Sequence, residues 1–231
     1  MLQYNEVLMV KRINYELWLF YTAVFIGGFF GGYAMMRSGM FASSQTMNII
    51  SMALNLLECD FGEFLVRFGI MVLYAGAIAL GVLVPRYTRW DIRLLSIGVT
   101  ALASLVMAFI PPRITSTLSL LPIFVAMALQ WSAFPGAIGY QAACIFLTNN
   151  FRQTVLGGVN YLCTKEKQYI SQFLFYAGDI FFFFLGFVVC YVGIKFAGFR
   201  SVAILLPVTV LMFGLILNEK KTTCSTTQRT L

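Results

Sequence analysis

FYAGDIFFFF, residues 175–184, sets one carboxylate, Asp179, inside an apolar, phenylalanine-rich run. If that run lies in a membrane, placing an acid there costs about 2.5–3.5 kcal/mol on insertion scales. Such an acid carries a proton, takes part in an ion or substrate pathway, or forms half of a structural ion pair. The candidate partner is Arg152, which follows TNN at 148–150. A buried ion prefers a partner to isolation, so the two residues are expected to pair. Asp179, if Arg152 does not fully compensate it, could carry a proton. Arg152 itself could bind an anionic group, and its plainer reading is a surface arginine whose stem snorkels.

Neutral polar groups form a second set. FASSQTMN (41–48) and FLTNNFRQT (146–154) each gather several amides and hydroxyls within a moderately apolar stretch. Gln45, Thr46, Asn48, Thr148, Asn149 and Asn150 could present these groups to a small solute or to an ion shedding water. The plainer alternatives are interhelical hydrogen bonds and satisfaction of a re-entrant backbone. Gln130 and Tyr176 complete the candidate translocation set. Tyr74 and Tyr176 offer a hydroxyl at matching positions, or else anchor at an interface.

Other chemistry is poorly provided for. The chain has no histidine, no G-x-S-x-G and no cysteine pair in CxxC spacing. Its five cysteines are an odd number and imply no disulfide framework. The usual catalytic constellations are missing, so no enzyme, no metal and no cofactor is expected. The absence of a Walker motif argues against ATP-driven transport by this chain alone.

The elements that must position these residues follow from composition. Of 231 residues, 60% are hydrophobic and 11% charged, with a mean hydropathy of +0.83. Soluble domains carry about 25% charged residues, so the natural solvent is a lipid bilayer. The net charge of +7 lies between apolar runs, as in membrane proteins rather than nucleic-acid binders. Six runs are long and apolar enough to span: about 17–36, 64–85, 94–111, 118–139, 169–194 and 201–217. The first lacks the features of a cleaved signal peptide. Pairs of glycines at 27/31 and 28/32 predict close helix contact, and Gly76 and Gly178 read the same way.

The halves are related. Thr46-Met47-Asn48 recurs as Thr148-Asn149-Asn150, and YAGAI (74–78) recurs as YAGDI (176–180), both displaced by 102 residues. Two matches at one offset predict an internal repeat. The second copy has Asp179 where the first has Ala77, and Arg152 where the first has Ile50.

Topology follows from charge. If the two polar segments dip in and return, ten Lys and Arg fall on the inside and five outside, Arg152 apart; with eight crossings the division is nine to six. The positive-inside rule favours six crossings, three per repeat, and therefore inverted repeats. Seven crossings is the main rival. The expected organisation is an all-α polytopic membrane protein of about six transmembrane helices and two polar, re-entrant segments. It has a cytoplasmic segment 1–16, repeat A at 17–111, a linker 112–117, repeat B at 118–217, and a polar, disordered cytoplasmic tail 218–231.

Four stretches, GGFFGGY (27–33), FASSQTMN (41–48), LQWSAF (129–134) and TNNFR (148–152), resemble in order and spacing the YoaK-like family of bacterial membrane proteins, the domain of unknown function 1275. The family pattern runs G-F-x-D-A, F-x-x-x-Q-T-G-N, L-Q-N-x-x-F and T-x-N-x-R. This chain departs from it at Gly31, Met47, Trp131 and Asn149. The resemblance implies a multi-pass protein of the bacterial inner membrane and no particular activity. The residues themselves point to a small-solute transporter or channel, the solute unidentified. The alternative is a non-catalytic scaffold or accessory subunit that meets its partner within the bilayer. The expected partners are the lipid bilayer, the solute and a second copy in a homodimer, with no nucleic acid.

Overall fold

A computed structural model of the chain describes the backbone of residues 2–227 and the side chains of residues 15–220. Among them are eight α-helices: α1 (Leu2–Ser38), α2 (Gln45–Leu57), α3 (Phe61–Tyr87), α4 (Ile92–Phe109), α5 (Leu121–Ala133), α6 (Thr148–Thr164), α7 (Lys167–Ala197) and α8 (Leu205–Thr227). A 3-10 turn, Thr117–Leu120, leads into α5, and another, Gly198–Ile204, joins α7 to α8. A small hairpin, β1 (Gly136–Ala137) with β2 (Tyr140–Gln141), is the one sheet among the described residues.

Local chemistry sets the helix starts. Side chains of Ser44, Asp60 and Asp91 accept hydrogen bonds from the first-turn amides of Met47, Glu63 and Arg93, satisfying donors that have no intrahelical partner. Four stretches are long and apolar enough to cross a membrane: Tyr15–Ser38, Phe61–Tyr87, Ile92–Phe109 and Lys167–Lys220, the last holding α7 and most of α8. Thr117–Ala133 is a shorter apolar helix. The chain is thus an all-helical protein of membrane character.

Two expectations are corrected. The run 118–139 is not helical throughout. α5 stops at Ala133, ahead of Pro135, and the hairpin follows, with Gly136, Ile138 and Gly139 at positive φ. Pro135 disfavours helix in the residue before it and lacks the amide a helix needs. Residues 218–231 are not disordered as a whole, since α8 continues to Thr227; residues 228–231 lie outside the described ones. The polar segment 1–16 is part of α1 from Leu2 onward.

α1 is the central helix, and α7 runs beside it in the same direction. The alignment is visible in successive contacts: a Cβ on Gly178 would meet the Tyr21 ring, one on Gly28 the Phe183 carbonyl oxygen at 2.0 Å, and one on Gly32 the Phe187 ring at 2.6 Å. Gly27 fits against the Cys144 carbonyl oxygen, where a Cβ would lie at 2.1 Å. Gly27 and Gly28 therefore admit a neighbouring backbone, and Gly32 and Gly178 an aromatic ring. Gly76 does not: it is exposed, with open space where a Cβ would be. α3 and α5 also run in parallel, joined by Thr117 to Glu63 at one end (2.6 Å) and by the fit of Gly81 against Ser132 at the other. α4 and α8 run in opposite directions: Arg93 at the start of α4 meets Glu219 near the end of α8 at 2.6 Å.

At the end of α1, buried Arg37 donates to the Tyr33 hydroxyl and to the carbonyls of Ile110, Pro111 and Ile114. A guanidinium there satisfies carbonyls at the C-terminus of α4 and complements the negative end of its dipole. Of the phenylalanines at 181–184, Phe181 and Phe184 face outward. Phe182 stacks on Tyr21, and Phe183 packs against α1 at Gly28.

Candidate functional site

Between α5 and α6 the chain leaves helical geometry for residues 134–147, and Ala142, Ala143, Cys144 and Ile145 are buried there. Irregular backbone at membrane depth must find internal partners or line a wet cavity. Asn150, in the first turn of α6 and fully buried, supplies them. Its Nδ2 donates to the Ala143 carbonyl at 2.8 Å, and its Oδ1 accepts from the Ala143 amide at 3.4 Å. The side-chain amide thus stands in for a neighbouring strand.

The same Nδ2 donates to Asp179 Oδ2. Asp179 is fully buried in α7, and its Oδ1 has no hydrogen-bond partner. Among the described residues no Lys or Arg pairs with it. The expected partner, Arg152, is exposed. Two residues turn an α-helix through about 200°, so with Asn150 facing inward Arg152 faces away. The predicted Arg152–Asp179 pair is therefore not formed. An amide answers the acid instead.

Other predicted residues gather around this point. Gln130 in α5 is buried and donates to the Ala23 carbonyl at 2.8 Å. Its Nε2 also lies 3.8 Å from Cys144 Sγ. Tyr176, one turn before Asp179, donates to the Gln141 carbonyl at 2.7 Å and so clips the hairpin to α7. Tyr21 packs against Gly178, and Tyr21, Cys144 and Tyr176 all lie within electrostatic reach of Asp179. Beside the hairpin is a cleft of about 340 Å³ lined by Glu16 and residues 135–141.

The first polar segment makes a separate arrangement. Asn48, also buried, donates to the Arg67 carbonyl at 3.4 Å, near Gln45 Oε1 at 3.5 Å; Asn48 Oδ1 and Gln45 Nε2 have no partner. Thr46, Thr148 and Asn149 are exposed and join neither cluster. Two residues escaped the sequence reading. Tyr21 carried no local signal, since its partner at Phe175 is 154 positions away. Cys144 sits in a run that looks like ordinary apolar chain, and only the irregular backbone gives it a role.

Away from this core, Asp91 bridges α4 and α8. It accepts from Arg93 and from Lys220 at 3.0 Å. Partial burial works to raise its carboxyl pKa, but the hydrogen bonds from Arg93 and Lys220 outweigh that and hold it down to about 2.

A family model described as "Protein of unknown function (DUF1275)" matches residues 19–217. No curated protein and no solved structure matches the chain.

Proposed function

The chain belongs to the DUF1275 family, and we propose that it is a small-solute transporter or channel whose polar site is built around Asp179 and Asn150. The observation that carries this reading is Asp179 itself: fully buried, answered only by a neutral amide, with one oxygen unpartnered. A structural acid at this depth normally finds a cation. This one can lose its charge only to a proton or a bound cationic group. It also lies beside non-helical backbone, which in membranes marks buried joints and wet cavities.

The arrangement of helices supports two inverted repeats. At the 102-residue offset α1 corresponds to α5, α2 to α6, α3 to α7 and α4 to α8. α1 lies parallel to α7 as α5 lies parallel to α3, and α2 packs on α3 as α6 packs on α7. The mates α4 and α8 are antiparallel. A two-fold axis in the membrane plane makes mates antiparallel; an axis along the normal would leave them parallel. On this reading α1, α3, α4, α5, α7 and α8 cross. α2, 13 residues long, reaches about 20 Å and falls short of the hydrocarbon thickness. It and α6 are the returning limbs of re-entrant segments. The charge distribution favours both termini on the cytoplasmic side, and the family resemblance favours a bacterial inner membrane. No catalysis is proposed.

Solid-supported-membrane electrophysiology on proteoliposomes tests the reading, with panels of small anions, cations and neutral metabolites and with pH steps. The expected result is a solute-dependent current in wild type that Asp179→Asn abolishes. Currents and pH dependence unchanged in that variant would remove Asp179 from the site. Absence of both current and radiolabelled-solute uptake would sink the transport reading.

A further inference from the structure

We propose that a cleft at the opposite side of the α4–α8 pairing from Arg37, where α4 begins and α8 ends, binds the anionic headgroup of a phospholipid. The cleft is about 400 Å³ and is lined by Arg89, Trp90, Asp91, Leu94, Leu95 and Lys220. Its charges divide into a used set and a free one. Asp91 accepts from Arg93 Nε, Arg93 Nη2 and Lys220 Nζ at 3.0–3.1 Å, and Arg93 Nη1 also meets Glu219 at 2.6 Å. The two acids are thus neutralised by two bases. Arg89 is left over: exposed on the turn between α3 and α4, it has no hydrogen-bond or ion-pair partner among the described residues. Among the described residues Lys220 makes a single ion pair, from an ammonium with three donors. Arg86, in the last turn of α3 and outside the cleft lining, adds a positive charge three residues before Arg89 and lies over the Tyr87 ring.

The apolar lining decides between a lipid and a free anion. Leu94 and Leu95 are half-buried along the first turn of a membrane-crossing helix, and Trp90 is 71% exposed at its edge. A dissolved phosphate has no use for that wall. A phospholipid places its phosphate at this depth, its acyl chains along the leucines, and meets tryptophan at the headgroup level. A basic residue near a membrane surface contributes about 1 kcal/mol toward an anionic lipid, which is about fivefold in affinity. The site stands independently of any transport role.

The test is native mass spectrometry of the full chain in detergent, titrated with phosphatidylglycerol or with phosphatidylcholine of matched chains. Wild type is expected to retain phosphatidylglycerol preferentially. Arg89→Gln is expected to lower that preference about fivefold, Arg89→Lys to keep it, and Arg113→Gln, on the loop after α4, to leave it unchanged. The proposal is overturned if wild type shows no preference, or if Arg89→Gln retains it. Displacement of the lipid by millimolar inorganic phosphate would also overturn it, in favour of a free-anion site.

Discussion

Asn48 and Asn150 stand 102 residues apart, each near the start of a helix that follows irregular chain, and each is buried. They do different work. Asn48 meets the backbone carbonyl of Arg67, a bond that any polar residue of suitable length would make. Asn150 closes the irregular segment at Ala143 and at the same time holds Asp179. The difference lies in what faces each amide: α3 has Ala77 at the position corresponding to Asp179. At that position Ala or Asp decides whether the amide faces an apolar side chain or a chargeable one.

The sharpest way to break this comparison is to equalise the halves. Ala77→Asp buries an acid at a position 3% exposed. It is expected to destabilise by about 2.5–3.5 kcal/mol, the cost of an acid at membrane depth. Thermal unfolding in detergent reads the cost, and a fully stable variant would mean that the first half already has a receptive site. Next, Asn150→Ala is expected to cost about 1–3 kcal/mol, because it strands Asp179 and three backbone groups of the loop, the Ala143 amide and the Ala143 and Phe146 carbonyls. Asn48→Ala is expected to cost only about 0.6 kcal/mol, the usual worth of an interhelical hydrogen bond. Equal losses in the two variants would erase the distinction.

A third prediction concerns the joint between the halves. The Asp91 carboxyl is held down to about 2, below the ordinary value of about 3.9. A lowered acid stabilises the fold above its unfolded-state pKa, and that contribution disappears as pH falls through the folded-state value. Stability attributable to Asp91 is therefore expected to drain away between about pH 4 and pH 2. Asp91→Asn should lose stability at neutral pH and show a flatter melting profile across that window. A wild-type profile in the variant would place the acid sensitivity elsewhere. The smallest effect belongs to Arg152→Gln, within about 0.5 kcal/mol of wild type, with no change in any Asp179-dependent signal. A loss matching that of Asp179→Asn would restore the ion pair that the geometry denies.

Much of the framework was legible in the residues. Runs of apolar residues located α3, α4 and α7 to within three positions at either end. The glycines at 27, 28 and 32 marked close contacts, because only a missing Cβ lets a neighbouring backbone or ring approach so near. The polar segments announced themselves as breaks in hydropathy. Less legible were the end of α5, where Pro135 and two glycines outweigh an apolar composition that suits a helix, and the helical continuation of α8, where charged and threonine-rich sequence resembles solvated tail.

The sequence by itself determined that this chain has membrane character, that two short stretches recur at one offset, and that Asp179 is out of place. Composition and spacing carry those facts because hydrophobic transfer and helix length depend on residue type alone. The tertiary structure decided what Asp179 meets. A run of polar residues, TNNFR, offers four candidates to a neighbour, and which one faces it depends on the rotation of α6 about its own axis. That rotation goes with the packing of α6 on α7, where Gly157 fits against the Phe173 backbone. Asn150 turns inward and Arg152 turns out, so the acid is given a neutral amide in place of a cation.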